Sequence, residues 1–318
     1  HRLQANLTSV TIFFFLGFSH YPKVEVIIFV LCLLMYLITL LGNIILISIT
    51  ILDSSLYTPM YFFLSNLSCL DVWYTSSAFP PMLINFVSGK NTTSFSGCAA
   101  QMYFSLAMGS TELCLLLGMM ALDCYVAICY PLRYLVIMSK GAYVPMAAGS
   151  WVAGIVDSVV QTSLAKQLPF FANSVINHFA CEILAILKLT CADISINVIS
   201  MGGSNLIVLV IPLLVISISY FFIVAAILRI PSTEGKRKAF STCSAHLTVV
   251  IIFYGTYFFM YAKPKSKSSA GTDNQDIIEA FISLFYGVMT PMLNLLIYTL
   301  RNKDIKAAFF KEPPYCPP

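Results

Sequence analysis

Asp71, Glu112, Asp157 and Glu279 each stand in a long run of apolar residues. On insertion scales a charged side chain at the centre of a membrane helix costs roughly 2.5–3.5 kcal/mol, so such residues face a protein interior and serve a purpose there. Asp71 lies about 12 residues into its run and Glu112 about 14 into the next, which brings both to a common depth. Together with Asn43 or Asn294 they form a candidate intramembrane polar cluster that holds a cation or shares a proton. The alternative is a hydrogen-bonded cluster that fixes helix packing. Asp157 has no evident partner in the sequence and reads as structural. Glu279 and Asp276 fall near the outer end of their run and read as solvated.

Ten cysteines are dispersed along the chain with no paired CxxC framework, so most read as small buried side chains. Cys98 and Cys181 share one side of the membrane in the topology drawn below. Oxidising conditions let them pair, tying a long loop over the bundle mouth; the alternative is two free thiols. His178, Cys181 and Glu182 make an H-x-x-C-E string with soft-metal donors. A disulfide at Cys181 removes its best ligand, so no metal and no cofactor are expected. No nucleophile, base and orienting acid occur at recognisable spacing, which leaves enzymatic activity without support.

The elements that position these groups follow from composition. Of 318 residues 58% are hydrophobic and only 10% charged, with a mean hydropathy of +0.85. Ordinary soluble chains carry about 25% charged residues, so a soluble enzyme is excluded. A membrane helix takes about 20 apolar residues. Seven such spans are drawn, at 24–51, 59–87, 98–128, 141–165, 194–230, 239–262 and 277–300. Runs of this length do not fit the short alternating strands of an outer-membrane barrel. The expectation is an all-α, seven-transmembrane helix bundle forming a single domain over 1–318. Residues 1–23 form an extracellular N-terminus, 24–300 the bundle and 301–318 a cytoplasmic tail. Within that tail Ile305, Ala308 and Phe309 share a face and Lys303, Lys306 and Lys311 lie largely elsewhere, the pattern of a short amphipathic helix on the membrane surface. The first 20 residues lack the pattern of a removable signal peptide.

Lys and Arg divide ten against eight between the two sides, and Lys236, Arg237 and Lys238 in a short loop mark the cytoplasmic one. The acceptor triplets Asn6-Leu7-Thr8 and Asn91-Thr92-Thr93 both fall on the opposite side, where Asn6 is the expected glycosylation site. A third triplet, at Asn66, lies inside the second span and reads as a chance match. A net charge of +4 spread along the chain points to no nucleic-acid partner. The partner of that surface is the lipid membrane.

Several local strings resemble the vertebrate olfactory receptors, which are rhodopsin-like G-protein-coupled receptors. They are Gly42-Asn43 in the first span, Pro59-Met60-Tyr61-Phe62-Phe63-Leu64 opening the second, and 120–129, MALDCYVAIC, ending the third. Ser219-Tyr220 lies in the fifth, 238–247, KAFSTCSAHL, opens the sixth, and Pro291-Met292-Leu293-Asn294 with Arg301-Asn302-Lys303 ends the seventh. The loop from Cys181-Glu182-Ile183-Leu184 to Asp193-Ile194-Ser195 is most similar to olfactory receptor family thirteen.

The resemblance implies a receptor that binds a small volatile odorant between helices three, five, six and seven. It further implies coupling to the heterotrimeric stimulatory olfactory G protein, a rise in cyclic AMP, and a place in the plasma membrane of olfactory cilia. On this chain the pocket falls to Met102, Ser105, Leu106, Gly109, Ser204, Val208, Tyr254, Tyr257 and Phe258. Mostly apolar walls with a few hydroxyls suit a small hydrophobic ligand held by one or two hydrogen bonds. Coupling and activation fall to Asp123, Cys124, Tyr125, Tyr220, Lys238, His246, Asn294 and Tyr298.

Four departures qualify the resemblance. Cys124 replaces the arginine of the family's Asp-Arg-Tyr, so Asp123 is expected to lose its cationic partner. Leu295 replaces the proline of Asn-Pro-x-x-Tyr. Glu112 precedes Asp123 by 11 residues, one more than the family pattern, and one extra residue turns a helical side chain by about 100°. The run 168–171 lacks a cysteine, which leaves Cys191 without its expected mate. Two rival readings follow, a receptor-like protein that binds odorant but couples poorly and a small membrane transporter. An odd number of spans without internal repeats counts against the transporter.

Overall fold

The computed structural model describes residues 12–15, 22–88, 92–111, 116–170, 175–176, 181–190, 192–261, 287, 289–299, 305 and 308. Helix α1 (Pro22–Leu52) packs along α2 (Pro59–Ser88), and a 3-10 turn at Ser54–Leu56 joins them. Asp53 caps that turn by accepting from the Ser55 N–H at 3.0 Å. The third span appears as α3 (Phe95–Thr111) and α4 (Leu117–Cys129), followed by the short α5 (Tyr134–Ile137) and by α6 (Lys140–Lys166). A one-turn helix α7 (Ile183–Leu187) lies in the loop beyond. Helix α8 (Ser195–Asn205), a π-helical segment (Leu206–Val210) and α9 (Ile211–Arg229) run on as one 35-residue apolar element. Helix α10 (Thr233–Tyr261) follows, and 289–299 are helical.

Three of these elements are both long and apolar enough to cross a membrane: Val26–Leu52, Lys140–Lys166 and Ser195–Arg229. At about 1.5 Å per residue, even a 27-residue helix exceeds the hydrocarbon thickness of about 30 Å. The distribution of polarity agrees. Val26, Ile27, Leu34, Ile38 and Leu41 on α1 are exposed, whereas Thr39, Asn43 and Thr50 of the same helix are buried. Apolar side chains outward and hydroxyls inward is the order a lipid solvent imposes. The chain is therefore a helical, multi-pass membrane protein.

Two elements differ from expectation. The bundle is not purely α: β1 (Ile12–Phe15) pairs antiparallel with β2 (Thr92–Ser94) and parallel with β3 (Val175–Ile176), in the order β2-β1-β3. Three segments outside the spans leave backbone groups to satisfy, and pairing satisfies them. Helix α10 begins six residues before the drawn span, so Lys236, Arg237 and Lys238 extend a helix rather than a loop. Lys and Arg are good helix formers, and Glu234 in the first turn suits the helix dipole. Of the expected tail helix, Ile305 and Ala308 are described, and both pack on the main core; its remainder lies outside the described residues.

Candidate functional site

The end of the bundle that the expected topology puts outside is closed by a disulfide between Cys98, in the first turn of α3, and Cys181, with the Cα atoms 5.3 Å apart. The pairing read from the sequence is borne out. The Cys181 N–H donates to Gln101 Oε1 at 3.0 Å, and Phe13 packs against Phe95 and Phe170 beside the bond. Strand β1 is thereby fastened to both ends of the covalent tie.

Beneath it Met102 and Leu106 pack with Ala165, Ile183 and Leu187, so these two of the pocket residues meet α6 and α7. Ser105 and Gly109 are half-buried, and a Cβ added at Gly109 would meet nothing within 4 Å. Val208 lies in the π-helical segment. Tyr254 is buried beside Phe253 and Phe258 is exposed, while the side chain of Tyr257 lies outside the described residues.

Asp157 corrects the sequence reading, which gave it no partner. It accepts from Ser110 Oγ at 2.6 Å, from Ser204 Oγ, and from Gln161 Nε2 at 3.4 Å. One carboxylate thus ties α3, α6 and α8 together. A turn further out Gln161 Nε2 also donates to Ser200 Oγ at 3.0 Å. Ser200 and Ser204 lie one turn apart on α8 as Gln161 and Asp157 do on α6, and the two rows face each other. No hydrogen-bond partner among the described residues meets Gln161 Oε1, Thr162 Oγ1 or Asn197 Nδ2, all buried nearby in sequence. Helices α3 and α6 approach closely at Gly154, where a Cβ would overlap Thr111 Oγ1 and come within 2.7 Å of the Ala107 carbonyl oxygen.

The proposed polar cluster is described in part. Asn43, Asp71 and Asn294 are buried, and Asn43 Nδ2 donates to the Thr39 carbonyl at 2.9 Å; Glu112 lies outside the described residues, as do Asn6, Asn91, His178, Cys191, Asp276 and Glu279. Leu116, which lies between Glu112 and Asp123, has π-helical backbone. Asn66 donates to the Phe62 carbonyl and accepts from Trp151 Nε1 inside the bundle, which fits a chance acceptor triplet.

At the inner end a second correction appears. Asp123 was expected to lose its partner with the missing arginine, yet it is 3% exposed and accepts from the Tyr134 hydroxyl at 2.8 Å. Pro131 is the cause. It restricts Tyr130 and ends α4, and the chain then bends by 112° so that α5 folds back under Asp123. Burial, then the neighbouring Asp123 carboxylate, pushes the Tyr134 phenol well above its ordinary value, so it remains a donor.

Tyr220, His246 and Leu117 make a relay across α9, α10 and α4. His246 Nε2–H donates to the Leu117 carbonyl at 3.1 Å, which leaves Nδ1 to accept from the Tyr220 hydroxyl at 2.8 Å. The two rings stack at 5.8 Å. Cys124 is buried with Ile223 and Cys243. Tyr125 Oη contacts Tyr130 Oη at 3.5 Å, and Tyr298 Oη donates to Met120 Sδ at 4.0 Å. Leu295 lies so close to α1 that a Cβ at Gly42 would overlap its Cδ2. Lys238 is helical, with its side chain outside the described residues.

The sequence missed Tyr134 and the Asp157 donors because both arise from long-range folding. The family model described as olfactory receptor matches residues 31–312. The human olfactory receptor 2S2 is 64% identical over 306 residues, 96% of each chain. Human olfactory receptor 13C9 is 60% identical over 95% of each chain, and 13F1 is 62% identical over 96% of this chain and 94% of its own. A match of this extent covers nearly the whole chain, and the chain belongs to the olfactory receptor family.

Proposed function

We propose that this chain is a seven-helix odorant receptor, with its N-terminus and the Cys98–Cys181 disulfide outside the cell and the 302–311 surface helix within. It takes a small volatile, largely apolar molecule into the outer half of the bundle and activates the stimulatory olfactory G protein, raising cyclic AMP in the ciliary membrane. The family match over nearly the whole chain carries the reading. The outer end supports it chemically. Met102, Leu106, Val208 and Tyr254 supply apolar wall, while the Asp157 and Ser204 group and the atoms Gln161 Oε1 and Asn197 Nδ2 supply hydrogen bonding. An apolar wall contributes about 25 cal/mol for each Å² buried, so a small odorant binds at micromolar strength or weaker. A cyclic AMP reporter screen against an odorant panel, with surface expression measured in parallel, tests this. Alanine at Ser204, Tyr254 and Tyr257 should each change the response; three unchanged responses at equal expression would move the pocket elsewhere.

Weak coupling is a second reading, and one observation favours it. Cys124 offers an apolar, buried thiol where a G protein would meet a guanidinium, and Leu295 keeps the last helix regular against Gly42. Under this reading Cys124→Arg, alone or with Leu295→Pro, raises output at equal surface expression. No gain in a receptor shown to bind ligand would mean that coupling runs through other residues.

A further inference from the structure

Three sulfurs gather at the inner end, in the seam where α4, α9 and α10 pack, and the coupling reading uses none of them as a nucleophile. Cys124 and Cys243 are buried together with Ile223 in one cluster where α4, α9 and α10 pack. Cys129, further along α4 and nearer its end, is partly exposed, and its thiol donates to the Phe222 carbonyl at 3.8 Å. All are free thiols. Because Cys124 stands where the resemblance places an arginine, the shared burial of the two thiols departs from the pattern that the resemblance implies.

We propose that Cys124 and Cys243 are a modification site, forming a reversible disulfide that ties α4 to α10 when a hydroperoxide oxidises them. One thiolate attacks hydrogen peroxide, the O–O bond breaks, the departing hydroxide takes up the proton that the thiol gave, and a sulfenic acid and one water form. The second thiol then attacks the sulfenic sulfur. An S–S bond forms, the S–O bond breaks, and a second water leaves. The two sulfurs lose two electrons between them and the peroxide gains two. Two molecules of a cytosolic thiol reverse the bond by thiol–disulfide exchange, leaving as their own disulfide. The cytosol is reducing, so the resting form is the dithiol and the bond is transient.

The pair is already buried in one cluster between the packed helices α4 and α10, so closing it needs no new approach of distant elements. Its consequence rests on the receptor reading: a covalent tie between α4 and α10 stops either helix from moving away from the other at the coupling end. The bond itself does not depend on that reading.

The test uses the full-length receptor in native membranes, with hydrogen peroxide as the probe. Membranes are oxidised, remaining thiols are alkylated, and non-reduced peptides are identified by mass spectrometry. The expected result is a linked pair carrying Cys124 and Cys243, absent before peroxide and lost again with dithiothreitol. Recovery of both as alkylated thiols, as sulfinic acids, or of Cys243 linked to Cys129 instead would overturn the proposal. A second measurement compares odorant-driven cyclic AMP before and after peroxide, as a ratio within each protein. Wild type should show a loss that dithiothreitol restores, and Cys243→Ser should show none. An equal loss in Cys243→Ser, or a linked pair with an unchanged response, removes the gate while leaving odorant reception standing. The linked pair in a chain deaf to every odorant would instead count against reception and keep the bond.

Discussion

At the outer end Cys98 is bonded to Cys181, three strands pair across the mouth, and the Asp157 carboxylate gathers donors from α3 and α8. At the inner end the described residues are joined by hydrogen bonds without a disulfide, among them Tyr134 to Asp123, Tyr220 to His246 and to the Cys243 carbonyl, and His246 to Leu117. A covalent bond survives every thermal fluctuation, whereas one hydrogen bond contributes a net of about 0.5–1.5 kcal/mol and opens readily. Under the proposed function the contrast suits different tasks at the two ends. A binding mouth gains affinity from being preorganised, and a coupling face has to change shape. The placement of strong and weak joints fits a receptor whose outer half holds still while its inner half switches.

The comparison is broken most completely by removing the covalent joint. Cys181→Ser frees the loop and β3 from α3, and loss of a native disulfide costs about 2–5 kcal/mol. Surface expression should collapse, as read by antibody staining of intact cells. Expression at the wild-type level would show that the sheet alone holds the mouth. Next in size is Gly154→Ala. The added methyl meets Thr111 Oγ1 and the Ala107 carbonyl, and backbone does not yield easily, so overpacking costs about 1–3 kcal/mol. Thermal denaturation of the detergent-purified receptor should fall by several degrees, while Gly149→Ala on the same helix, where a Cβ meets nothing within 4 Å, should leave it unchanged.

Much of this was legible in the sequence for a physical reason. Apolar runs of membrane length specify helices locally, and sidedness alone brings Cys98 and Cys181 into one compartment. Asp157 was not legible, because its donors lie 47 residues away in each direction, at Ser110 and Ser204, and only the packing of α3, α6 and α8 brings them together. Tyr134 was hidden in a loop whose reversal at Pro131 is a tertiary event. The strands were missed because four, three and two residues carry too little alternation to stand out beside long apolar spans.

Asp157 sharpens the comparison by asking whether the outer end needs a charge or only an acceptor. Asp157→Ala leaves Ser110, Ser204 and one Gln161 N–H without their acceptor, at about 1–3 kcal/mol for a buried group so stranded. Asp157→Asn keeps an acceptor oxygen and removes the charge. Thermal stability should therefore fall further in the alanine variant than in the asparagine variant. Equal stability of both with wild type would mean that the carboxylate is dispensable for packing.

The smallest effect is expected at the inner end, with Tyr134→Phe. This change removes one hydroxyl and keeps the ring, so packing around α5 is preserved and only the bond to Asp123 is lost. A hydrogen bond to a charged group is worth about 1.5–3 kcal/mol when its partner stays dry. Tyr134 is half-buried, beside exposed Arg133 and Leu135, so water can replace the lost donor and only part of that value is felt. Thermal stability should change by little, while ligand-independent cyclic AMP output should rise several-fold, because Asp123 no longer anchors α5 beneath α4. Adding Cys124→Arg to Tyr134→Phe supplies a guanidinium beside the same carboxylate and should draw the basal output back toward wild type. If Tyr134→Phe lowers stability as much as Gly154→Ala does and leaves basal output unmoved, the inner bond is a structural fastening like those at the mouth, and the division between a fixed outer end and a switching inner end fails.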